Sequence, residues 1–181
     1  VDNIDVPACT ARGIIAVNTP EANLMAAGEL AVALAFASFR NICVANEAAR
    51  RDDFRRGRMI GNELEGKTAG IIGMGRIGSI VARKLKGVGM KVIAYDPYIS
   101  SDRFEQVGVR RCDKLDDLLR EADLITLHTP KTKETYNMID APQLALCKPG
   151  VRIVNAARGG LVNEKALHAA LVSGQVAAAG I

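Results

Sequence analysis

The sequence is poor in large side chains and in residues that cross-link a chain. Tryptophan is absent and aromatic residues make up only 4% of the 181 residues, although apolar residues reach 49%. Small and β-branched side chains must therefore fill the core, which suits a parallel sheet buried on both faces. The four cysteines, at positions 9, 43, 112 and 147, are far apart and form no C-x-x-C pair. This spacing argues against a zinc site and a disulfide framework, so we expect no metal and a cytoplasmic location.

The chain also has only a small excess of charge of one sign. The formal net charge is +4, and the basic residues concentrate only in 50–58, RRDDFRRGR. Two aspartates interrupt this run and one aromatic residue accompanies it, which favours a solvated loop or helix end over a nucleic-acid-binding surface. The chain begins with Val1 rather than Met and in the middle of a pattern. We expect it to be part of a longer protein.

The first fifty residues are predicted to be mainly helical. Asp5 is a suitable cap for a short helix over 6–11 that Gly13 ends, and the apolar run 14–18 has the character of a strand. Residues 21–46 lack an internal proline and predict one long helix, apolar on nearly every side from Leu24 to Phe39. Its uncharged stretch is too short to cross a membrane and contains Glu29. A helix that is apolar all round is buried all round, so we expect it to lie between its own domain and a second domain or subunit.

The stretch 67–78, KTAGIIGMGRIG, organises the rest of the chain. It predicts a buried strand over 68–72, then the spacing G-x-G-x-x-G at Gly73, Gly75 and Gly78, then a helix over 77–86. In such a turn the first glycine permits the tight bend, the second lets a pyrophosphate approach the backbone, and the third lets the helix pack on the strand. Amide groups at the start of the helix then hold the anion. A dinucleotide is therefore the predicted ligand.

Asp96 completes this motif. It ends the next predicted strand, 91–95, and lies eighteen residues beyond Gly78, close to the spacing of an acid that binds the adenosine ribose. A carboxylate at this point repels a 2′-phosphate, and the neighbouring Pro97 and Tyr98 carry no positive charge. The sequence therefore predicts NAD rather than NADP. The alternative interpretation is a glycine-rich turn of another α/β domain, with Asp96 as a helix cap.

Strands and helices alternate downstream. Apolar runs predict strands at 108–112, 123–127, 151–155 and 176–181, and amphipathic segments predict helices at 114–121, 141–146 and 163–172. This alternation means parallel pairing with right-handed crossovers. The predicted fold class is α/β: a Rossmann-type, doubly wound parallel sheet with helices on both faces. Its ligand lies at the carboxyl ends of the strands.

Three further groups follow predicted strands at that edge. Thr129 and Pro130 are expected to line the path of the cofactor. Arg158, flanked by small residues and glycines, is the candidate catalytic residue, because a guanidinium can bind a carboxylate and polarise a carbonyl; the alternative is an ordinary surface arginine. His128 is interpreted as packing beside the cofactor rather than as the general base, since no carboxylate is evidently placed to orient it. His168 is expected at the surface.

Several phrases together resemble the D-isomer-specific 2-hydroxyacid dehydrogenases. They are VDNID, GI..VNTP, ELEGKTAGIIGMGRIG, YDP, LHTP.T.ET and VRIVNAARGGLVNEKAL, and they extend along essentially the whole chain. The phrases GNELEGKT, YDPYIS and CKPGVRIVNAARGG make the chain most similar to the family members that act on 3-phosphoglycerate. The resemblance implies a two-domain enzyme, with residues 1–20 the tail of a substrate domain and 21–181 the NAD-binding domain. It also implies a homodimer or homotetramer that uses the 21–46 helix.

The resemblance assigns roles to single residues. By the family pattern, Arg76 and Ile77 meet the pyrophosphate, Asp96 the adenosine ribose, and Thr129 with 156–158 the nicotinamide side. Arg158 matches the arginine that binds the substrate carboxylate and activates its C2 oxygen. The complete predicted set of cofactor-binding residues is Gly73, Gly75, Arg76, Ile77, Gly78, Asp96, Pro97, Thr129, Pro130, Ala156, Ala157 and Arg158.

Two departures from the family pattern limit these expectations. The proton-transferring histidine of the family, the acid that pairs with it and the Asp expected next to Ile181 would all come after residue 181, and neither histidine of this chain matches that catalytic one. The loop that receives the substrate carboxylate would precede residue 1. Residues 1–181 alone are therefore expected to bind NAD without turnover. The substrate alternatives are glyoxylate, hydroxypyruvate or lactate, and an alternative of another class is an NAD-sensing transcriptional corepressor of the C-terminal-binding type.

Overall fold

A computed structural model describes residues 3–181, apart from the side chain of Arg58. Val1 and Asp2, which begin the predicted substrate-domain tail and the VDNID phrase, lie outside the described residues. The helices are α1 (Val6–Ala11), α2 (Leu24–Arg40), α3 (Ile42–Arg50), α4 (Arg76–Gly87), α5 (Ser101–Val107), α6 (Leu115–Glu121), α7 (Ala141–Leu146) and α8 (Glu164–Ser173), with a 3-10 turn at Arg56–Arg58. The strands are β1 (Thr68–Ile72), β2 (Lys91–Tyr95), β3 (Arg110–Arg111), β4 (Leu124–Leu127), β5 (Val151–Val154) and β6 (Val176–Gly180).

The six strands form one sheet in the order β3-β2-β1-β4-β5-β6, and every neighbouring pair is parallel. The central strands β1 and β4 are buried along their whole length, as continuous apolar runs in a parallel sheet must be. The chain leaves β1 in one direction to build β2 and β3, then returns to build β4, β5 and β6. The predicted doubly wound α/β fold is confirmed.

Helices cover both faces of the sheet. One apolar layer joins the sheet to α2, α4 and α5, through residues such as Phe39, Leu85 and Phe104. The opposite layer joins it to α6, α7 and α8, through residues such as Leu118 and Leu144. The site edge is therefore carried by a sheet that is packed from both sides.

The prediction of one helix over 21–46 was wrong. The chain breaks at Asn41, whose φ of 52° is left-handed, and α2 and α3 meet at an angle of 69°. Asparagine tolerates this conformation, and its side-chain amide donates to the Ile60 carbonyl at 2.8 Å. In α2, Gly28, Ala31, Ala35 and Phe39 are buried. Met25 and Leu30 are about half exposed, so within this chain α2 is buried along one stripe, and its contact with another domain or subunit stays a prediction.

No single helix among residues 3–181 is both long enough and apolar enough to cross a membrane. Taken together, α2 and α3 meet the criterion of length and composition, although the chain bends sharply between them.

Two further local predictions were wrong. Residues 14–18 form no strand, and Ile15 and Val17 are largely exposed, because no strand in the described part of the chain lies beside them to pair with. Conversely, helix α5 lies where no helix was predicted, between the predicted strands at 91–95 and 108–112. Its Phe104 is buried against the sheet layer, and Gly108 ends it in the left-handed conformation. Burial of one aromatic side chain stabilises a helix that its short polar sequence did not suggest.

Candidate functional site

The carboxyl ends of the strands meet at one edge of the sheet, and the chain changes direction there between β1 and β4. In open α/β sheets, ligands bind in the crevice at such a switch point. Gly73 follows β1, Asp96 follows β2, His128 follows β4 and Asn155 follows β5. The structure therefore brings the predicted groups to one edge, as parallel pairing requires.

The glycine loop after β1 has three different constraints. Gly73 has a φ of +97°, and a Cβ there would lie 2.7 Å from the His128 carbonyl oxygen. A Cβ on Gly78 would lie 1.9 Å from the Gly73 carbonyl oxygen, so α4 packs directly on the turn. At Gly75 a Cβ would meet nothing within 4 Å. The first and third glycines are thus required by the fold, while the second leaves open space where an anion can approach the backbone.

Helix α4 starts at this open position. Gly75 is its N-cap, and within the described residues no side chain caps its first amides. The first N–H groups of a helix lack partners inside the helix and lie at its positive end. The amides of Arg76 and Ile77 therefore form an anion site beside Gly75.

Asp96 is held in place by backbone amides. Its Oδ2 accepts from the Met74 N–H and its Oδ1 from the Tyr98 N–H, both at 2.9 Å. Each carboxylate oxygen keeps a second lone pair for a hydroxyl donor. The carboxylate is thus oriented at the β2 end and ready to accept hydrogen bonds from a ribose.

A cavity of about 390 Å³ opens between the glycine loop and the ends of β2 and β4. We call it the adenosine cavity, after the part of the dinucleotide that is predicted to bind there. Its lining is Ile72, Gly73, Gly75, Tyr95, Asp96, Pro97, Tyr98, His128, Thr129, Pro130, Thr132, Glu134, Thr135 and Met138. This mixture of apolar walls with two carboxylates, Asp96 and Glu134, fits a nucleoside.

A second cavity, of about 600 Å³, lies across the switch point. We call it the nicotinamide cavity. Its lining is Asn18, Thr19, Pro20, Ala22, Asn23, Leu24, Ala27, Ile77, His128, Thr129, Pro130, Ala156, Ala157 and Arg158. Residues 128–130 belong to both cavities. They form a shared wall, with the glycine loop and the α4 amides beside it, so a two-part ligand can lie across the edge.

Arg158 lies at the rim of the nicotinamide cavity on an exposed loop. Its Nη1 donates to the Ala157 carbonyl at 2.8 Å. The loop itself is organised by Asn155, whose Oδ1 accepts from the amides of Ala157 and Arg158 and whose Nδ2 donates to the Arg158 carbonyl at 2.9 Å. Sequence reasoning did not assign a role to Asn155. Its position directly after a strand was the available signal, since asparagine commonly hydrogen-bonds the backbone two residues on.

His128 occupies the shared wall. Its Nε2 lies 3.0 Å from the hydroxyl oxygen of the buried Thr126. Burial lowers its pKa from 6.5 to about 4, so the ring is neutral near neutral pH. No carboxylate of the described residues bonds to it. The ring is thus a neutral part of the wall, and its packing beside a cofactor stays a prediction. His168 is exposed on α8.

The predicted site residues are not all in the same place. Eight of them line one or both cavities, on either side of the shared wall, besides the glycines at the turn. Arg76 is the exception: its side chain lies outside both cavities and its Nη1 is 3.2 Å from Glu21 Oε1. Which of these residues touch a cofactor stays a prediction.

The fold and the edge geometry define a dinucleotide-binding domain of the Rossmann type. The residues fit such a ligand on structural grounds: an open position at Gly75 beside uncapped amides, an oriented carboxylate at Asp96, and a cavity on each side of the switch point. Among the described residues no cluster of His, Cys, Asp or Glu is arranged to hold a metal ion.

Comparisons with known proteins specify the family. Residues 32–181 match the model of the D-isomer specific 2-hydroxyacid dehydrogenase, NAD binding domain. The chain is 49% identical over 181 residues to a D-3-phosphoglycerate dehydrogenase of Mycobacterium bovis, covering all of this chain and 34% of that protein. The chain therefore belongs to the D-isomer specific 2-hydroxyacid dehydrogenase family, as its NAD-binding domain. It spans about one third of the length of the curated relatives it matches.

Solved structures agree with this assignment. The apo D-lactate dehydrogenase of Escherichia coli superposes with a TM-score of 0.91 at 35% identity, over 99% of this chain and 56% of that one. A glyoxylate reductase from Paecilomyes thermophila superposes with a TM-score of 0.89 at 38% identity, over 99% of this chain and 54% of that one. Similar structures thus include enzymes named for different 2-hydroxy or 2-oxo acids.

Proposed function

We propose that the protein carrying this chain is an NAD-dependent oxidoreductase that interconverts 3-phosphoglycerate and 3-phosphohydroxypyruvate, a step of serine biosynthesis. The observation that supports it most is the position of Arg158 at the rim of the nicotinamide cavity, across the shared wall from the oriented carboxylate of Asp96. The similarity to D-3-phosphoglycerate dehydrogenases along the whole chain favours this acid over others. Residues 1–20 are proposed to belong to the substrate domain and 21–181 to the NAD-binding domain.

The predicted site residues of the chain have defined tasks in this proposal. The nicotinamide, when bound, supplies the hydride acceptor or donor. Asp96 orients the adenosine ribose, and the amides of Arg76 and Ile77 neutralise the pyrophosphate. Arg158 binds the substrate carboxylate with its planar fork and polarises the C2 oxygen. Asn155 fixes the backbone of the loop that carries Arg158. Proton exchange at that oxygen is assigned to a histidine outside residues 1–181.

Arg158 acts as an electrostatic catalyst in this scheme. Negative charge develops on the C2 oxygen when hydride reaches the carbonyl carbon, and a fixed cation next to that oxygen stabilises the transition state more than the ground state. The neutral His128 contributes no charge there. Its place in the shared wall is to shape the cavity and exclude water from it.

The test is turnover by the full-length protein. We expect oxidation of NADH with 3-phosphohydroxypyruvate and much less with glyoxylate, hydroxypyruvate or pyruvate. A preference for one of those acids would change the proposed substrate but not the proposed class of reaction. Tight NADH binding without turnover of any of the four, together with cofactor-dependent assembly, would favour the corepressor alternative. Equal affinity for NADPH and NADH would contradict the role of Asp96.

Assembly and location are part of the same proposal. The exposed apolar side chains of Met25 and Leu30 on α2, and of Ile42 and Val44 on α3, support a homodimer or homotetramer built on these helices. Their exposed fractions are each about half, which is costly in water and is removed by a partner. We propose a cytoplasmic location. The mass of the full-length protein measured by sedimentation, and its distribution after cell fractionation, test the two statements separately.

A further inference from the structure

A basic cavity lies outside the cofactor groove, between α4 and α5. It has a volume of about 400 Å³ and is called the arginine cavity here. Its lining is Leu24, Arg76, Ser79, Ile80, Arg83, Arg103, Gln106 and Val107. We propose that it binds a small phosphate-bearing anion, independently of the dinucleotide. The proposal does not rest on the oxidoreductase activity, because it concerns a different set of side chains.

The three arginines converge because of helical spacing. Arg76 and Arg83 are seven residues apart on α4, so they lie on the same face two turns from each other. Arg103 and Gln106 are three residues apart on α5, so they share the face that points to α4. Two packed helices thus present guanidinium groups and an amide to one concave space.

No carboxylate lines this space. Within the described residues, the guanidinium groups of Arg83 and Arg103 make no hydrogen bond or ion pair. Several other exposed arginines have acidic partners: Arg51 with Glu47, Arg55 with Asp53, Arg110 with Glu121 and Arg120 with Asp116. Arg76 has Glu21 as a partner at 3.2 Å, whereas the like charges of Arg83 and Arg103 face the cavity without a counter-charge of their own among the described residues. A bound anion reduces the repulsion between them.

A fourth positive charge supports the same sign of ligand. Lys86 Nζ donates to the carbonyl oxygens of Val107 at 3.1 Å and Gly108 at 2.8 Å. It thereby neutralises the negative carboxyl end of α5, which would otherwise repel an anion near Val107. The planar fork of arginine matches phosphate oxygens in two parallel hydrogen bonds. Phosphate is therefore the ligand chemistry that the lining fits.

The arginine cavity is separate from the groove but adjacent to it. It contains none of Gly73, Gly75 and Asp96. Arg76 and Arg103 also line a second opening of about 590 Å³ that includes Gly75, Tyr98 and Ser100. The phosphate could therefore come from a free anion or from the 2′-phosphate of a dinucleotide. We assign the site to a free anion, because the carboxylate of Asp96, which is predicted to bind the adenosine ribose, would repel a 2′-phosphate there.

The experiment is a calorimetric titration of inorganic phosphate into the protein at constant ionic strength, with NADH at saturation and without it. We expect phosphate uptake in both conditions. Arg83→Gln and Arg103→Gln should each weaken it about tenfold or more, the value of one lost charge-assisted hydrogen bond. Glu21→Gln should strengthen it, because Arg76 loses its competing partner. Arg120→Gln, on α6, removes the same charge elsewhere and should change nothing.

Several results would overturn the proposal. They are absence of phosphate binding, equal binding by the Arg83 and Arg103 variants, and loss of binding when NADH is added, which would place the phosphate on the glycine loop. In a further arm NADPH replaces NADH, and displacement of phosphate by NADPH alone would assign the site to the 2′-phosphate instead. Unchanged NADH affinity of the two variants shows that they are folded. Failure of NADH to bind at all would refute the proposed function. The titration of phosphate without NADH would then still test whether the arginine cavity binds the anion.

Discussion

The two edges of the sheet use polar side chains in opposite ways. At the amino edge, Asp123 accepts from the Thr68 amide at 2.8 Å and from Lys148 Nζ at 3.1 Å. Burial raises the pKa of Asp123, but these hydrogen bonds outweigh it and lower the pKa overall. Arg152 is engaged by several partners at once. These polar side chains of the amino edge thus form hydrogen bonds within the fold.

At the carboxyl edge, backbone amides orient the carboxylate of Asp96 and leave lone pairs on it for a ligand. The loop of Arg158 is organised through Asn155. The amides at the start of α4 have no side-chain cap. This difference indicates that the amino edge stabilises the domain and that the carboxyl edge is arranged to bind a ligand. Changes at the two edges should therefore separate stability from function.

The largest separation is expected at Arg158. In the full-length protein, Arg158→Ala should lower turnover by about a hundredfold or more, because a fixed charge next to the reacting oxygen is removed. NADH affinity should change by less than about threefold, since the pyrophosphate and ribose contacts remain. Steady-state kinetics and NADH titration measure the two effects. Arg120→Ala is the matched control, and turnover equal to wild type in Arg158→Ala would remove this residue from the mechanism.

The glycine loop allows the two functions of one motif to be separated. Gly78→Ala should destabilise the domain by about 3 kcal/mol, because its Cβ would meet the Gly73 carbonyl oxygen at 1.9 Å. Gly75→Ala should leave the free energy of unfolding within about 0.5 kcal/mol and weaken NADH binding about tenfold or more, since its Cβ enters the open space. Urea unfolding and NADH titration provide the readouts.

The control for both glycine variants is Gly87→Ala at the end of α4, where a Cβ meets nothing within 4 Å. Alanine is the better helix former, so stability should stay the same or rise slightly. Unimpaired NADH binding by Gly75→Ala would contradict the assigned anion site.

His128 should make stability depend on pH. Its pKa is about 4 in the folded chain and 6.5 without burial, so the unfolded chain takes up the proton first as pH falls. The stabilisation is complete above pH 6.5 and is lost between pH 6.5 and 4, by about 3 kcal/mol. Unfolding measured across this interval should show the slope, and His128→Gln should flatten it. An equal slope in the variant would assign the dependence to other groups.

A loss of stability smaller than those at Gly78 and His128 is expected at the amino edge. Arg152 lies over the Phe39 ring at 4.1 Å and donates to Asn62 Oδ1 at 2.6 Å and to the Gly150 carbonyl at 3.1 Å. Arg152→Met keeps an unbranched apolar stem and removes these hydrogen bonds and the charge over the ring, so the free energy of unfolding should fall by about 2 kcal/mol. NADH affinity should be unchanged. A weakened NADH affinity in this variant would contradict the assignment of stability to the amino edge and of binding to the carboxyl edge.

Much of this organisation could be predicted from the sequence because it depends on local patterns. The bounds of β1 and β2 were predicted correctly, because a continuous apolar run in a parallel sheet indicates a buried strand. The same parallel pairing placed Asp96 and Arg158 at one edge of the sheet. The break at Asn41 could not be seen, because its partner Ile60 is distant in sequence. The grouping of Arg83 with Arg103 likewise depends on how two helices pack. Local signals identified the elements, and tertiary contacts decided their ends and their neighbours.

The shared wall at residues 128–130 has a consequence for cooperativity between the parts of a ligand. Because the same three residues border both cavities, ordering the wall against one half of a dinucleotide also orders it for the other. The entropy lost in ordering the wall is then lost only once for two binding events. An adenosine fragment and a nicotinamide fragment should accordingly raise each other's affinity even when no bond joins them.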